Sequence, residues 1–229
     1  MKGSTTPLRV SLSLALGFSA ALSLTPLKAA DEVKPVLLKV PLAFPTALPA
    51  VKSSILWVAE QAPIITNGSL KIKTYGPGKV VPPFEILDAV STGKVNAGFA
   101  ISGYWAGKIP AATIFSSVPF GPESGEFMAW LYYGNGLNLY QEMYDQAGYK
   151  VKVIPCAILP PESGGWFKQP INSAEDIKGL NIRFYGLGGK VFTKLGASVS
   201  VIPGSEVFPA LERGAIDATE FSQPAIDQM

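Results

Sequence analysis

The sequence contains no histidine and a single cysteine, Cys156. The absence of histidine excludes Ser-His-Asp and Cys-His catalysis, a histidine-ligated zinc or iron site and a histidine pH switch. One cysteine excludes an internal disulfide and a cysteine-based metal cluster. Charged residues are also scarce, at 16% of the 229 residues, whereas 48% are hydrophobic, which excludes a disordered chain.

The excess of basic residues is confined to the amino terminus. Lys2, Arg9 and Lys28 account for the formal net charge of +2, because the residues after position 30 carry 16 basic and 17 acidic side chains. A nearly neutral body without a basic run argues against nucleic acid as a partner. It leaves room for a small anionic ligand held by one or two local cations.

Residues 1–30 have the order of a secretory signal peptide. Two basic residues precede an apolar run from Val10 to Leu24, and a helix-breaking Thr25-Pro26 leads to Ala29-Ala30. The run is shorter than the ~20 apolar residues that a permanent transmembrane helix needs. We therefore expect cleavage, a periplasmic location and no permanent membrane anchor. A retained anchor is the alternative.

The rest of the chain alternates short apolar strands with helices that end at glycines. Before residue 102 the pattern predicts three strands, at 36–43, 70–75 and 95–101, and two helices, at 50–65 and 83–92. Beyond them it predicts a helix within 126–150, broken at Gly134-Asn135-Gly136, and a strand at 151–154.

The order strand, glycine turn, helix, glycine, strand occurs twice. Residues 179–188 resemble residues 68–78, with Arg183 at the position of Lys73, and residues 208–218 resemble 87–97. We therefore predict an α/β fold with two related lobes, 31–155 and 156–229. A ligand cleft would face the carboxyl ends of the strands. The alternative is that such units are common to many α/β proteins.

Arg183 is the strongest candidate for ligand binding. It lies on a predicted strand, three residues before the glycine-rich sequence that begins at Gly186. A guanidinium is always charged, and its planar fork matches a carboxylate with two parallel hydrogen bonds. The alternative is a surface arginine on an edge strand.

Two acids and two aromatic residues are further candidates. Glu162 precedes Gly164-Gly165 and two aromatic residues, and Glu220 follows the predicted strand 215–218. If both acids converged near Arg183, their oxygens would suit a hard cation. Tyr104 and Trp105 follow the matching strand of the first half and could contact a ligand. Each acid could instead be an ordinary loop residue, and the aromatic pair could serve packing.

The sequence resembles the solute-binding proteins of tripartite ATP-independent periplasmic (TRAP) transporters, the DctP family. It is most similar to the branch that binds 2-oxo and 2-hydroxy monocarboxylates, and the resemblance covers roughly residues 36–228. The motifs that carry it are PPFEILDAV (82–90), SSVPFG (116–121), AWLYYG (129–134), GGWF (164–167), KGLNIR (178–183) and DATE (217–220).

This resemblance implies a periplasmic receptor of the two-lobed fold that delivers a small carboxylate to the membrane permease subunits. The carboxylate-binding arginine of the family falls on Arg183. A cation beside the ligand, Na⁺ or Ca²⁺, would be held by the side chains of Glu162 and Glu220 and the carbonyl of Phe221, and no organic cofactor is implied. The branch usually has glutamine at position 162 and tryptophan at position 221.

Members of the family continue well past residue 229, so the resemblance predicts a fold that is incomplete at the carboxyl terminus. Two other functions stay open at this point. One is a metal-assisted α/β enzyme that acts on an organic acid, with Glu162 or Glu220 as the base. The other is a truncated product without function. The GxSxG, Walker and HExxH motifs of common enzyme classes are absent from the sequence.

The signal-peptide interpretation predicts the amino terminus of the exported protein. Mass spectrometry of protein from the periplasm should find a chain that begins near Asp31. Recovery of a chain that starts at Met1 from the membrane fraction would contradict it.

Overall fold

The computed structural model describes residues 34–159 and 161–221, together with Gly3. The predicted signal peptide therefore lies, apart from that glycine, outside the described residues. The described residues from Lys34 to Phe221 belong to one compact unit. Within the described ranges, no helix is both long enough and apolar enough to cross a membrane.

Two parallel strands form the sheet of the first half. β1 (Val36–Pro41) pairs with β2 (Leu70–Tyr75) in a continuous register from Val36 opposite Leu70 to Pro41 opposite Tyr75. Parallel strands need a crossover, and here it is helical. The crossover comprises α1 (Pro49–Val51), a π-helical segment (Lys52–Leu56) and α2 (Trp57–Ile65). These elements confirm the predicted strand at 70–75 and the helical segment near 50–65.

Short helices make up the rest of the first half. The predicted helix at 83–92 is a 3₁₀ turn followed by an α-helix that ends before Gly93, whose φ of +75° is the left-handed cap expected there. The elements in chain order are a 3₁₀ turn Pro83–Glu85, α3 (Ile86–Ser91), 3₁₀ turns Ser102–Trp105 and Pro110–Phe115, α4 (Ser124–Tyr133) and α5 (Gly136–Gln146).

The predicted break between α4 and α5 is confirmed, and packing explains it. A Cβ atom at Gly136 would lie 2.8 Å from the ring of Trp130. Such a contact is too short for any real side chain, so the first residue of α5 must be glycine for the two helices to turn against each other at this point.

The strand predicted at 95–101 is wrong, because a side chain occupies much of the edge of β1. Asn96 accepts a hydrogen bond from the Lys39 amide at 2.7 Å and donates one to the Leu37 carbonyl at 2.8 Å. Backbone pairing begins only further along, where Leu42 and Phe99 form an isolated parallel bridge.

The strand predicted at 151–154 is wrong for the same reason. Gln141 on α5 donates to the Val151 carbonyl at 2.8 Å and accepts from the Val153 amide at 3.0 Å. In an extended chain, the carbonyl of one residue and the amide of the second residue along point to the same side. The side-chain amide of Gln141 offers a donor for that carbonyl and an acceptor for that amide. The predicted lobe boundary at 155–156 falls in this irregular segment and stays a prediction.

The second half is built on a mixed sheet of four strands in the order β3-β6-β4-β5. β4 is parallel to both β5 and β6, and β3 is antiparallel to β6. Its elements in chain order are β3 (Trp166–Phe167), a 3₁₀ turn Ala174–Ile177, β4 (Asn181–Arg183), α6 (Gly186–Lys194), β5 (Ser198–Ser200), α7 (Gly204–Glu212) and β6 (Ala218–Thr219). The second half thus places an extra helix and strand, α6 and β5, inside the repeated pattern.

Separate hydrophobic clusters support the two halves. One lies under the 3₁₀ turns and α5 and includes Trp105, Met143 and Tyr144. A second lies between β1 and the helical crossover, and Phe221 packs against it from the end of β6. A third, around Ile182 and Ala218, supports the four-stranded sheet.

We predict that Asn96→Ala destabilises the protein by about 1–2 kcal/mol, because two backbone groups of β1 lose their partner. Asn96→Asp should destabilise it too, since a carboxylate cannot donate to the Leu37 carbonyl. Asn138→Ala is the control, because its exposed amide donates to the nearby Asn135 on the same helix end. Urea unfolding measures all three variants. An unfolding free energy of Asn96→Ala equal to that of the control would contradict this account.

Candidate functional site

The site forms where two neighbouring parallel strands of the second half end. Arg183, the last residue of β4, lies opposite Thr219 of β6, and the amide of Glu220 donates to the Arg183 carbonyl at 3.0 Å. Because parallel strands end at the same edge of a sheet, this register brings the side chains of Arg183 and Glu220 together.

Arg183 and Glu220 form a buried ion pair. Nη1 of Arg183 donates to Oε2 of Glu220 at 2.8 Å and to the Glu220 carbonyl at 2.6 Å, and Nε donates to the Ile202 carbonyl at 3.2 Å. The two residues are only 2% and 3% exposed. Oxygens from the segments after β5 and β6 therefore fix the guanidinium. Removal of either partner would leave a buried charge without compensation.

Aromatic rings flank the guanidinium. Its central carbon lies 5.3 Å from the ring centre of Tyr185 and 5.9 Å from that of Phe221. Rings at this distance attract a cation through their negative faces. They also exclude water, which strengthens the charge interactions within the cluster.

Glu162 joins the pair, although it is 58 residues distant from Glu220 in the sequence. Burial and the adjacent Glu220 charge, with which it also shares a hydrogen bond, raise the pKa of Glu162 to about 8, and the Arg183 charge opposes that rise. Two carboxylates that share one hydrogen bond keep a proton between them unless another positive charge replaces it. The predicted convergence of Glu162, Glu220 and Arg183 is thus present in the structure.

Tyr104 reaches the cluster from the first half. It lies on the 3₁₀ turn Ser102–Trp105, its hydroxyl accepts a hydrogen bond from the Gly204 amide at 3.3 Å, and the same hydroxyl interacts with Arg183. Burial raises the pKa of Tyr104, and Arg183 opposes the rise. The phenol therefore stays protonated at neutral pH and can donate a hydrogen bond.

Trp105 does not lie at the Arg183 cluster with Tyr104, which corrects the prediction that it contacts a ligand. The indole is 5% exposed, belongs to the cluster beneath the turn, and donates from Nε1 to the Tyr144 hydroxyl at 3.0 Å. Successive residues of this turn face different ways, so the aromatic pair divides into one residue at the site and one in the core.

Sequence reasoning missed Tyr185. Its ring faces Arg183 and also contacts Tyr104 edge-on, with ring centres 6.1 Å apart. The signal was present, because residues two apart in an extended segment point to the same side, and Tyr185 is two residues after Arg183. A Cβ at Gly103 would lie 2.8 Å from the Tyr185 ring, so glycine there permits the close approach.

A cavity of about 440 Å³ adjoins the cluster and shares Tyr104 and Tyr185 with it. Its walls come from both halves of the chain: Phe84, Gly103, Tyr104, Tyr185, Gly186 and Val201, with Glu85 and Lys108 among the remaining lining residues. Arg183 itself does not line the cavity, and the rings of Tyr104 and Tyr185 stand between the two.

The oxygen donors of the cluster are those that a hard cation prefers. Nowhere in residues 34–159 and 161–221 do three or more His, Cys, Asp or Glu side chains form a metal-binding group. The cluster offers two carboxylates, and the chain continues into the backbone carbonyl of Phe221. Oxygen ligands suit Na⁺ or Ca²⁺, and two neighbouring carboxylates favour a positive charge between them, so the two glutamates fit such an ion by their chemistry.

Comparison with known proteins identifies the family to which this chain belongs. The family model for bacterial extracellular solute-binding protein, family 7, matches residues 52–229. The monocarboxylate 2-oxoacid-binding periplasmic protein of a Nostoc species is 44% identical over 171 residues, which are 75% of this chain and 46% of that protein.

Solved structures agree in fold. A TRAP transporter solute-binding protein from Bordetella bronchiseptica, with copurified calcium and picolinate, superposes with a TM-score of 0.81 at 32% identity over 85% of this chain and 57% of its own. One from Pseudoalteromonas atlantica, with bound sodium and pyruvate, gives 0.80 at 35% identity over 85% and 59%. This chain therefore spans between about half and three-fifths of the length of these relatives, and it belongs to the DctP family of bacterial extracellular solute-binding proteins.

Proposed function

We propose that this chain is the periplasmic receptor of a TRAP transporter, which captures a small 2-oxo or 2-hydroxy monocarboxylate and delivers it to the membrane permease subunits without altering it. The observation that carries the proposal is the buried guanidinium of Arg183, held at the carboxyl edge of β4 by three protein oxygens. The relatives from Nostoc and Pseudoalteromonas, named for a 2-oxoacid and solved with pyruvate, support this ligand class.

Arg183 and Tyr104 would bind the ligand carboxylate from opposite halves of the chain. Arg183 supplies a fixed positive charge, and the protonated Tyr104 phenol supplies a donor. A ligand that bridges them would draw the two predicted lobes, 31–155 and 156–229, together by a hinge motion. The aromatic-walled cavity would take the rest of the ligand.

A cation held by Glu162, Glu220 and the Phe221 carbonyl would supply positive charge between the carboxylates and the ligand. The charges of Arg183, the two glutamates and a monoanionic ligand sum to −2. A divalent ion neutralises this sum, whereas a sodium ion leaves one negative charge in a partly buried cluster. We therefore propose that Ca²⁺ binds better than Na⁺.

An enzyme acting on an organic acid is the second candidate, and the raised pKa of Glu162 favours it. A carboxyl group with a pKa of about 8 is only partly ionised at neutral pH, and its ionised form could act as a general base. The two functions differ in what happens to the ligand. A receptor returns it unchanged after prolonged incubation, as NMR of the supernatant would show, whereas an enzyme consumes it. A chain without function would bind none of a panel of keto, hydroxy and sugar acids.

Arg183→Ala should weaken binding of pyruvate or lactate at least about tenfold, since a charge-assisted hydrogen bond contributes about 1.5–3 kcal/mol. Arg183→Lys should also weaken binding, because it keeps the charge and loses the fork. Calorimetric titration measures the affinities, and thermal melting checks that each variant is folded. Arg213→Ala, which alters an exposed arginine, is the matched control. Unchanged affinity in a folded Arg183→Lys variant would contradict the assignment of Arg183 as the carboxylate-binding residue.

The cation proposal predicts linkage between ion, ligand and pH. Ligand affinity should rise with Ca²⁺, and Glu162→Gln should reduce the preference for Ca²⁺ over Na⁺. When the pH is below the Glu162 pKa of about 8, the ion must displace the Glu162 proton. The Ca²⁺ affinity of wild type should therefore fall as the pH falls from 8 to 6. Glu162→Gln should lose most of this pH dependence.

Titrations in two buffers of different ionisation enthalpy would count the released proton directly. Glu175→Gln, on an exposed acid paired with Lys178, is the control for a general charge effect. Ligand affinity that is identical after chelation and sodium replacement would leave Arg183 alone to bind the ligand charge and would overturn the cation site.

A further inference from the structure

The 3₁₀ turn that carries Tyr104 is four residues long, and at its far end the Trp105 carbonyl accepts hydrogen bonds from the Lys108 and Ile109 amides, each at 2.8 Å. The amide of Tyr104 donates to the Ile101 carbonyl and that of Ala106 to the Gly103 carbonyl, each at 3.2 Å. Hydrogen bonds in 3₁₀ turns have poor geometry, and a turn of four residues has few of them. The direction in which Tyr104 points must therefore depend on what holds Ser102 and Trp105, the two ends of the turn.

Trp105, at the far end, is held by a buried hydrogen bond to α5. Its Nε1 donates to the Tyr144 hydroxyl at 3.0 Å, and both side chains are 5% exposed. Since an indole has one donor and no acceptor, this bond satisfies the entire hydrogen-bonding capacity of a buried ring. Loss of the acceptor would leave the N–H unsatisfied in the core, at a cost that favours movement of the turn.

Ser102, at the near end, is held by the same helix. The Tyr140 hydroxyl lies close enough to the side chains of Ser102 and Tyr144 to interact with both, and Ser102 Oγ donates to the Ala112 carbonyl at 2.8 Å. One order of donors satisfies every member: Trp105 to Tyr144, Tyr144 to Tyr140, Tyr140 to Ser102, and Ser102 to Ala112.

Helix α5 brings the two phenols together because they are four residues apart on one face. Their ring centres lie 5.7 Å apart, and Tyr140 also stacks on Phe115 at 4.4 Å with an interplanar angle of 2°. Neither phenol belongs to the Arg183 cluster. Between them they hold residues 102 and 105, on either side of Tyr104.

We propose that Tyr140 and Tyr144 are positioning residues for solute binding, which clamp both ends of the turn Ser102–Trp105 and thereby hold the Tyr104 hydroxyl against Arg183 and the Gly204 amide. This inference rests on the proposed role of Tyr104 in binding the carboxylate. It assigns Trp105 to the clamp, one step removed from the ligand.

Hydrogen exchange of the unliganded protein tests the clamp. In Tyr144→Phe, the amides of Tyr104 and Ala106 should exchange at least about tenfold faster than in wild type, while those of β4 and β6 keep their rates. Tyr140→Phe should act in the same direction through Ser102. Tyr132→Phe, on an exposed ring of α4, is the control and should change neither set. Unaltered exchange at Tyr104 and Ala106 in both clamp variants would overturn the proposal.

A double-mutant cycle on pyruvate affinity tests the functional consequence. Tyr144→Phe and Tyr104→Phe should each weaken binding several-fold, and the double variant should bind no more weakly than Tyr104→Phe alone, because the clamp acts through that hydroxyl. Additive losses would show that Tyr144 acts elsewhere and would overturn the proposal. If wild type binds no carboxylate, the proposed function fails, while the exchange rates still decide whether the clamp exists.

Discussion

The buried pair of Arg183 and Glu220 is the interaction on which the site depends. A guanidinium that is 2% exposed must have oxygen partners in place, and here they come from the ends of two parallel strands and from Ile202. The same bonds keep β4 and β6 in register at the edge where the chain turns into the site. Under the proposed function, stability and ligand recognition would use one set of atoms, and a substitution at either residue would affect both.

The charge at this edge is not balanced by the protein alone. Glu162 adds a second carboxylate beside Glu220, and the pair retains a proton that the isolated side chains would lose at neutral pH. Under the proposed function, a proton, a cation and the charge of a ligand would compete or cooperate at this buried cluster. The cluster gives a chain without histidine a carboxyl group whose pKa, about 8, lies near neutrality.

Side chains replace backbone pairing at several points outside the site. Asn96 bonds to the edge of β1, and Gln141 holds the extended segment after α5. The phenols of α5 hold the turn that carries Tyr104. Each bond joins segments from 10 to 59 residues apart in the sequence. The first half of the chain thus relies on a few long-range polar contacts to place its contribution to the site.

The sequence alone determined the α/β class, the strands at 36–43 and 70–75 to within two residues, the helix break at Gly134-Asn135-Gly136, and the candidate residues Arg183, Glu162 and Glu220. These follow from local periodicity, from glycine positions and from motifs, all of which can be read within a few residues. Only the tertiary structure decided that Trp105 lies in the core, that Tyr185 faces Arg183, and that Asn96 and Gln141 replace two expected strands. A strand requires a backbone partner, and whether a distant side chain takes that partner's place depends on the packing of the whole chain, which no local pattern records.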